Sequence, residues 1–534
     1  MRMVPRGAWA RDLWPLAALL ALAALARFAT LGLQSFWYDE AFTPVHVLHP
    51  GLGATLHAVS HTENSPPLWY VLVWGWSRAL GTGAIALRSL SALAGVGTVA
   101  AGWALGRELG SRRTAIALAA ILALNPLMVW YSQEARVYEL FALLAAVSLL
   151  CFLRAVRAPS TRTLAAWSVS SVLALLTHYF AVFLLAPEAV ALLVLLAPGR
   201  LATPAPERAV PTRAAVLVAV GALAISGLAL LPLIHAQGGH GTQWIGRWAL
   251  SDRVVQIPGY YLLGAQGSVL GHGLLVLCAL PLLGAAGLAG ALLAGKRLQA
   301  QESRALTWMT ALGAIAIAVP FVLALAGFDY LAPRNLIAAW VPLSAALAVA
   351  VTARRAGAAG VLLGGAVCVA GAALVLSTSF TPRLQRGDWR GVADVLRAPA
   401  HGALATHGAS RGAQAAGTEA LGASSTDERA RAFVTVELGS APLEYYLPRL
   451  RLRPLTRARS VRVSEVDVIG YRPLRRGATR PPTPAFAASG HSDVHGLLIY
   501  RFTSATPQLL SERQLRRRTI TAQRSVVLVP PRSG

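Results

Sequence analysis

The chain has 534 residues, 55% of them hydrophobic and only 13% charged. That excludes an ordinary soluble domain, in which about a quarter of the residues are charged. Its repeated apolar runs of about 20 residues call for helices that cross lipid, the economical way to satisfy every backbone polar group there. The formal charge of +25 comes almost wholly from arginine, with Lys296 the single lysine. The arginines are spread between the apolar runs rather than gathered in one patch, which fits membrane topology and argues against a nucleic-acid surface. Cys151, Cys278 and Cys368 all lie in apolar runs and read as small buried hydrophobes, not as a disulfide framework.

Arg2, Arg6 and Arg11 precede an apolar run at 13–33. It continues too far for a signal peptide and ends without a small-x-small cleavage pattern, so it is read as the first membrane helix. Ten further spans are predicted at 84–106, 114–130, 138–156, 163–180, 181–199, 214–235, 265–294, 305–326, 334–352 and 358–378. The connections alternate in charge. One set holds Arg107, Arg112 and Arg113, then Arg154, Arg157 and Arg162, then Arg200, Arg208 and Arg213, then Lys296, Arg297 and Arg304, then Arg354 and Arg355. The other set holds little beyond Arg136, Arg247, Arg253 and Arg334. The positive-inside rule puts the first set and the N-terminus in the cytoplasm and the loop at 34–70 outside. The segment 67–80 (PLWYVLVWGWSRAL) is short for a crossing and rich in Trp and Tyr, which favour the headgroup level. It is predicted to lie in the outer interface, and counting it as a span would reverse the charge pattern after it.

From residue 381 the chain becomes polar. Strand-like runs at 433–438, 461–468, 497–502 and 526–529, with helix-like pieces at 389–397 and 509–518, predict a soluble α/β domain over 381–534 on the outer face. A stretch rich in Ala, Gly and Ser at 401–430 is predicted to be a flexible insertion. The Arg516, Arg517, Arg518 run reads as a solvated helix face.

The outer loop 34–70 (QSFWYDEAFTPVHVLHPGLGATLHAVSHTENSPPLWY) contains no Lys or Arg. It carries the acid pair Asp39 and Glu40 beside Trp37 and Tyr38, then His46, His49, His57, His61 and Glu63, then Pro66, Pro67, Trp69 and Tyr70. The same face receives WYSQEARVY at 130–138; if helical, it puts Tyr131, Glu134 and Tyr138 on one side. It also receives His178 and Tyr179, the loop with His240, Gln243, Trp244, Arg247 and Trp248, and Asp329, Tyr330, Arg334 and Asn335. Ionisable groups at a membrane boundary are costly enough to suggest function. The histidine spacings do not define a metal site, so these side chains read as interfacial. Plainer readings stand beside the functional ones. Asp39 and Glu40 suit a helix N-terminus, Glu134 suits a local pair with Arg136 or Tyr138, and Arg136 and Arg334 suit membrane-boundary anchors.

Such a face suits group transfer from a lipid-linked donor. A polyprenyl-phosphate sugar would keep its tail in the bilayer and its reacting carbon at the interface. The chemistry needs a carboxylate base for the acceptor hydroxyl and positive charge for the leaving phosphate. Asp39 or Glu40 can be the base, Arg136 and Arg334 the phosphate partners, and the aromatics a sugar-stacking or lipid-lining surface. A divalent metal is compatible with the site but not required where arginines hold the phosphate. A secondary transporter with outer-face acids is the other class considered. Transporters place their charges at mid-bilayer on broken helices, often within repeats, whereas these acids lie at span ends and no repeat is evident. A scaffold displaying the C-terminal domain leaves the clustered polar groups unexplained.

Tyr38-Asp39-Glu40 after the first span, Ser65-Pro66-Pro67-Leu68-Trp69-Tyr70, Tyr131 to Tyr138, and His178-Tyr179 at the end of a later span together resemble the GT-C glycosyltransferases. The resemblance covers residues 10–350. It is to glycosyltransferase family 39 and its bacterial relatives, the protein mannosyltransferase-like, aminoarabinose transferase-like and core galacturonosyltransferase-like enzymes. It implies a polytopic helical fold with outer interfacial helices, and inverting transfer of a sugar from polyprenyl phosphate to an extracytoplasmic glycan, lipid or protein at the cell membrane. By the same resemblance Asp39 matches the catalytic base, Glu134 the second acidic position and Arg136 a donor-phosphate contact. Glu40 and Arg334 join them as candidates. Tyr38, His61, Glu63, Trp69, Tyr70, Tyr131, Tyr138, His178 and Tyr179 are candidates for holding substrate. The C-terminal domain shows no recognisable acceptor-binding module.

Overall fold

The structure is a computed structural model that describes residues 6–196, 213–238, 245–264, 272–398, 430–456, 459–471, 479–520 and 524–531. Its contacts divide the chain into two compact units, Met1–Leu33 with Val47–Leu384, and Gln34–His46 with Gln385–Gly534.

The first unit is helical. Helices Arg6–Phe28, Ala84–Leu109, Tyr138–Arg157, Thr161–Leu175, Val182–Leu195, Arg213–Ala229, His272–Ala294, Ala300–Leu325, Trp340–Thr352 and Gly357–Phe380 fall on predicted spans. The span predicted at 114–130 is a pair of helices, Arg112–Leu124 and Pro126–Ser132, bent by 58°. Among the described residues six helices are each long and apolar enough to cross a membrane, or seven crossings with the bent pair taken as one. Leu13–Phe28, Tyr179–Leu195 and Ala279–Ala294 are apolar but shorter. The protein is therefore a multi-pass helical membrane protein.

The bend has a local cause. Pro126 has no N–H, which leaves the carbonyl of Leu122 without its helical donor. Arg27, fully buried in the first helix, supplies it: Nη2 donates to Leu122 O at 3.0 Å, Nη1 to Ala123 O at 3.0 Å, and Nε to Ser132 Oγ at 2.9 Å. Asn125 completes the joint, accepting from Met128 N at 3.1 Å and donating to Tyr261 O at 2.8 Å. Only a glycine fits at position 95, where a Cβ would stand 2.2 Å from Ser132 Oγ and 2.5 Å from Arg27 Nε.

Turns that the charge alternation groups together meet at one end. Arg154 and Arg157 both bind Glu108, at 2.8 and 3.2 Å. The Arg354 N–H donates to Glu302 at 2.9 Å, and Thr114 and Thr352 share a hydroxyl contact of 2.9 Å. The interfacial segment is a helix, Leu68–Leu80 of 13 residues. At 1.5 Å per residue it spans roughly 20 Å, short of the ~30 Å of hydrocarbon.

The second unit is built on a six-stranded sheet in the order β2-β6-β1-β3-β5-β4. Its strands are β1 Arg431–Val436, β2 Arg453–Pro454, β3 Ser460–Tyr471, β4 Ala487–Val494, β5 Leu497–Ser511 and β6 Ser525–Val529. β1 and β3 run parallel, and every other pairing is antiparallel. Alternation along the strands feeds two cores. Val434, Val466, Leu498 and Phe502 pack on one face; Phe433, Ile469, Ile499 and Leu528 pack on the other with Trp389, Val392 and Leu396 of helix Trp389–Arg397. The helix predicted at 509–518 is corrected. β5 runs on to Ser511, with Leu510 opposite Val461 in the ladder and buried, and only Glu512–Arg516 is helical. β4 was not predicted because AASGHSDV is polar, as suits a strand at the sheet edge. Helix Ser440–Tyr446 was also not predicted. The insertion expected at 401–430 lies outside the described residues except for Ala430.

Candidate active site

Within the helical unit the candidates converge from several segments. The helix ending at Ser132 does not continue: residues 133–137 form a turn, and the next helix begins at Tyr138. The shared helical face expected for Tyr131, Glu134 and Tyr138 is thus replaced by a reversal, which still sets the rings of Tyr131 and Tyr138 4.8 Å apart. The turn also presents Arg136. Its guanidinium grips Glu63 through two bonds, Nη1 to Oε1 at 3.1 Å and Nη2 to Oε2 at 3.0 Å, with Glu63 buried and Arg136 partly so. This forked pair is the strong form of a charged hydrogen bond. Arg136 therefore pairs with Glu63 rather than with its neighbour Glu134.

Around this pair stands a shell of phenols and one imidazole. Tyr70 is fully buried; burial pushes its phenol well above the ordinary range, with Arg136 opposing and Glu63 adding to the rise. Trp69 is fully buried and packs edge-on against Tyr70 at 5.2 Å. The Arg334 guanidinium lies 5.9 Å from the centre of the Tyr138 ring, in cation–π range. Tyr131 hydrogen-bonds Tyr260 through the two hydroxyls. Glu134 is buried and within electrostatic reach of both.

His178 lies in the break between helices Thr161–Leu175 and Val182–Leu195, outside both. It stacks on Phe141 at 4.8 Å and approaches Tyr138 at 6.0 Å. It is buried, and Arg334 and Arg136 both lie within electrostatic reach of it. Its Nδ1 accepts from Phe180 N at 3.2 Å. Tyr179 turns to Gln237 at 2.7 Å, and Gln237 in turn donates to Val59 O and Ser65 O at 3.1 Å each. The Pro66-Pro67 step is thereby tied in place, helped by Leu68 N donating to Leu176 O at 3.0 Å.

His61 does not join this cluster. It is exposed on helix Leu52–Thr62 and stacks on His57 at 4.2 Å. No group of three or more His, Cys, Asp or Glu side chains among the described residues is placed to hold a metal ion. Asp329, grouped with this face by its sequence position, is held by both Nη atoms of Arg253, at 2.7 and 2.5 Å. His240, Gln243 and Trp244 lie outside the described residues. Tyr260 and Gln237 went unnoticed in sequence because each sits in a stretch with no motif of its own.

Asp39 and Glu40 pack within the second unit. They occupy the first turn of the short helix Tyr38–Phe42, with Glu40 buried and Asp39 half-buried. Tyr38 packs against Phe42 at 5.8 Å. The segment is fastened to the sheet unit along its length. Arg386 N donates to Gln34 Oε1 at 2.9 Å, Ser35 Oγ takes the Trp389 N–H at 2.9 Å, and Phe36 N donates to Tyr446 Oη at 2.7 Å. Phe36 lies 5.0 Å from Tyr445, and His46 reaches Glu444 at 3.3 Å. Burial raises the Glu444 carboxyl to about 7 and lowers the His46 imidazole, so each is pushed toward its neutral form.

Residues 64–225, which include Tyr70, the 131–138 turn and His178, match the family model of the dolichyl-phosphate-mannose-protein mannosyltransferases. No curated protein matches the sequence. The structure is similar to ArnT from Cupriavidus metallidurans in the apo state, with 12% identity and a TM-score of 0.52 over 92% of this chain and 98% of that one. The same protein bound to undecaprenyl phosphate gives 12% identity and a TM-score of 0.51 over 91% and 97%. The oligosaccharyltransferase of Archaeoglobus fulgidus tethered to an acceptor peptide gives 15% identity and a TM-score of 0.41, over 72% of this chain and 57% of that one. The chain thus spans little more than half the length of that enzyme. The chain has the GT-C glycosyltransferase fold, and its residues 64–225 are similar to the dolichyl-phosphate-mannose-protein mannosyltransferases.

Proposed function

We propose that the protein is an inverting glycosyltransferase that moves a sugar, a hexose of the mannose class, from polyprenyl phosphate to an extracytoplasmic acceptor. The acceptor is a cell-envelope glycan, a lipid or a protein. The observation that carries this reading is the convergence of Arg136 and Arg334 on one buried cluster of Tyr131, Tyr138 and His178. Arg136, held by Glu63, and Arg334 bring two guanidiniums to this cluster, the kind of partner that an anionic leaving group needs.

In the proposed reaction Asp39 takes the proton of an acceptor hydroxyl. The acceptor oxygen bonds to the anomeric carbon from the face opposite the phosphate as the carbon–oxygen bond to phosphate breaks, and polyprenyl phosphate leaves. Glu40 or Glu134 orients the acceptor, and Arg136 and Arg334 steady the phosphate. Glu63 holds Arg136 in place until the donor arrives, and Tyr38, Trp69, Tyr70, Tyr131 and Tyr138 line the sugar and lipid path. The proposal includes eleven spans in the plasma membrane, a cytoplasmic N-terminus, a transmembrane domain over 1–380 and an extracytoplasmic domain over 381–534. Undecaprenyl phosphate in the related ArnT structure supports the donor class.

Membranes carrying the protein should transfer label from one member of a panel of polyprenyl-phosphate sugars. Asp39→Asn should abolish that transfer with membrane insertion intact, and near-normal turnover in this variant would overturn the assignment. Reporter fusions after Arg112 and after Glu134 should report opposite sides of the membrane.

A further inference from the structure

At the arginine-rich end of the helical unit a cavity of about 490 Å³ opens between helices Arg112–Leu124, Trp340–Thr352 and Gly357–Phe380. Arg113, Arg354 and Thr352 line it together with Gly357, Gly360, Gly364, Gly365 and Cys368. Gly357, Gly360, Gly364 and Cys368 are spaced three, four and four apart, on one side of their helix. Two of these glycines let the helices approach: a Cβ at Gly360 would sit 2.1 Å from Val351 O, and one at Gly364 would sit 3.2 Å from Val351 Cγ2. Gly365 is different. A Cβ there would meet nothing within 4 Å. A glycine in a helix interior costs about 1 kcal/mol relative to alanine, and at this position no protein atom requires it.

We propose that this groove is a binding site for an anionic phospholipid. Arg113 and Arg354 are exposed and both belong to the lining, so two guanidiniums are available at its mouth for one phosphate. Guanidinium matches phosphate geometrically, and basic pockets between membrane helices on the cytoplasmic side take anionic headgroups. The depth fits one acyl chain. From Gly357 to Cys368 the helix rises roughly 16 Å at 1.5 Å per residue, about half of a ~30 Å hydrocarbon layer. The headgroup sits at the arginines, and a tail lies along the open side at Gly365. This site is separate from the Arg136 cluster and does not depend on the transferase reading.

The test is native mass spectrometry of the full chain released from nanodiscs of equal phosphatidylglycerol and phosphatidylethanolamine. The wild-type protein should retain phosphatidylglycerol at least fivefold over phosphatidylethanolamine. Arg113→Gln with Arg354→Gln should erase that preference. Gly365→Leu, whose Cβ enters open space, should reduce retention of phospholipid while the thermal unfolding midpoint holds. Equal retention of the two lipids by the wild type, an unchanged preference in the double variant, or displacement of phosphatidylglycerol by added undecaprenyl phosphate at stoichiometric amounts would each overturn the proposal.

Discussion

Two arginine–carboxylate clusters in this protein, both largely shielded from solvent, invite comparison because their surroundings differ in kind. In the sheet unit Asp467 receives Arg431 at 2.7 Å and Arg501 at 2.8 Å. Both arginines also cap the end of helix Trp389–Arg397: Arg501 donates to Val395 O, Leu396 O and Ala398 O, and Arg431 to Leu396 O. Cations at a helix C-terminus satisfy its open carbonyls and its dipole. Glu465 stands 2.9 Å from Arg431 and 3.0 Å from Arg501, and the whole network ties a helix end to the sheet. In the helical unit Arg136 and Glu63 are joined just as tightly, but their surroundings are phenols, an imidazole and a second guanidinium brought from separate segments. A buried ion pair therefore says little alone, and the chemistry of what surrounds it separates a brace from a site.

The largest expected effect beyond Asp39 comes from breaking the cluster in the helical unit. Glu63→Gln leaves the largely shielded Arg136 with a weaker partner and should lower turnover by about 10²-fold, with a stability loss of about 3 kcal/mol. The test is to measure turnover per folded molecule; if it falls no more than stability explains, the cluster is a brace after all. Asp467→Asn should give the reverse pattern: a loss of about 3 kcal/mol in unfolding free energy with unchanged turnover in the protein that remains folded. A loss of turnover there would erase the distinction between the clusters.

Gly95→Ala tests the support behind the 131–138 turn. Its methyl group cannot coexist with Arg27 Nε and Ser132 Oγ where they stand, so a destabilisation of about 1–3 kcal/mol is expected by overpacking, visible as a lower melting temperature in detergent.

The smallest effect concerns the clasp on the acid-pair segment. Glu444 is raised to about 7 by burial. Its folded value thus lies above its unfolded one, so the stability it contributes is full at low pH and lost as pH rises through 7. Glu444→Gln should therefore gain on the wild type by about 2 °C in melting temperature between pH 5 and pH 8. A gap that does not change with pH would remove this group from the clasp's titration.

Much of the architecture was legible because membrane and sheet impose strong periodic demands. Long apolar runs become helices in lipid, alternation becomes strands, and arginine counts sorted the turns that meet at Glu108, Glu302 and Thr352. The acid pair, the Pro-Pro-aromatic step and the YSQEARVY segment could be singled out as polar chemistry in apolar surroundings. What sequence could not supply was pairing across distance. Nothing local says that Arg136 takes Glu63 rather than Glu134, because a turn rather than a helix follows Ser132. Nothing local says that residues 34–46 pack with a sheet formed almost 400 residues later. Nor does an arginine in an apolar run announce that it replaces the N–H missing at Pro126. Composition and period are properties of neighbours along the chain, whereas partner choice is a property of neighbours in space, and only the tertiary structure decides it.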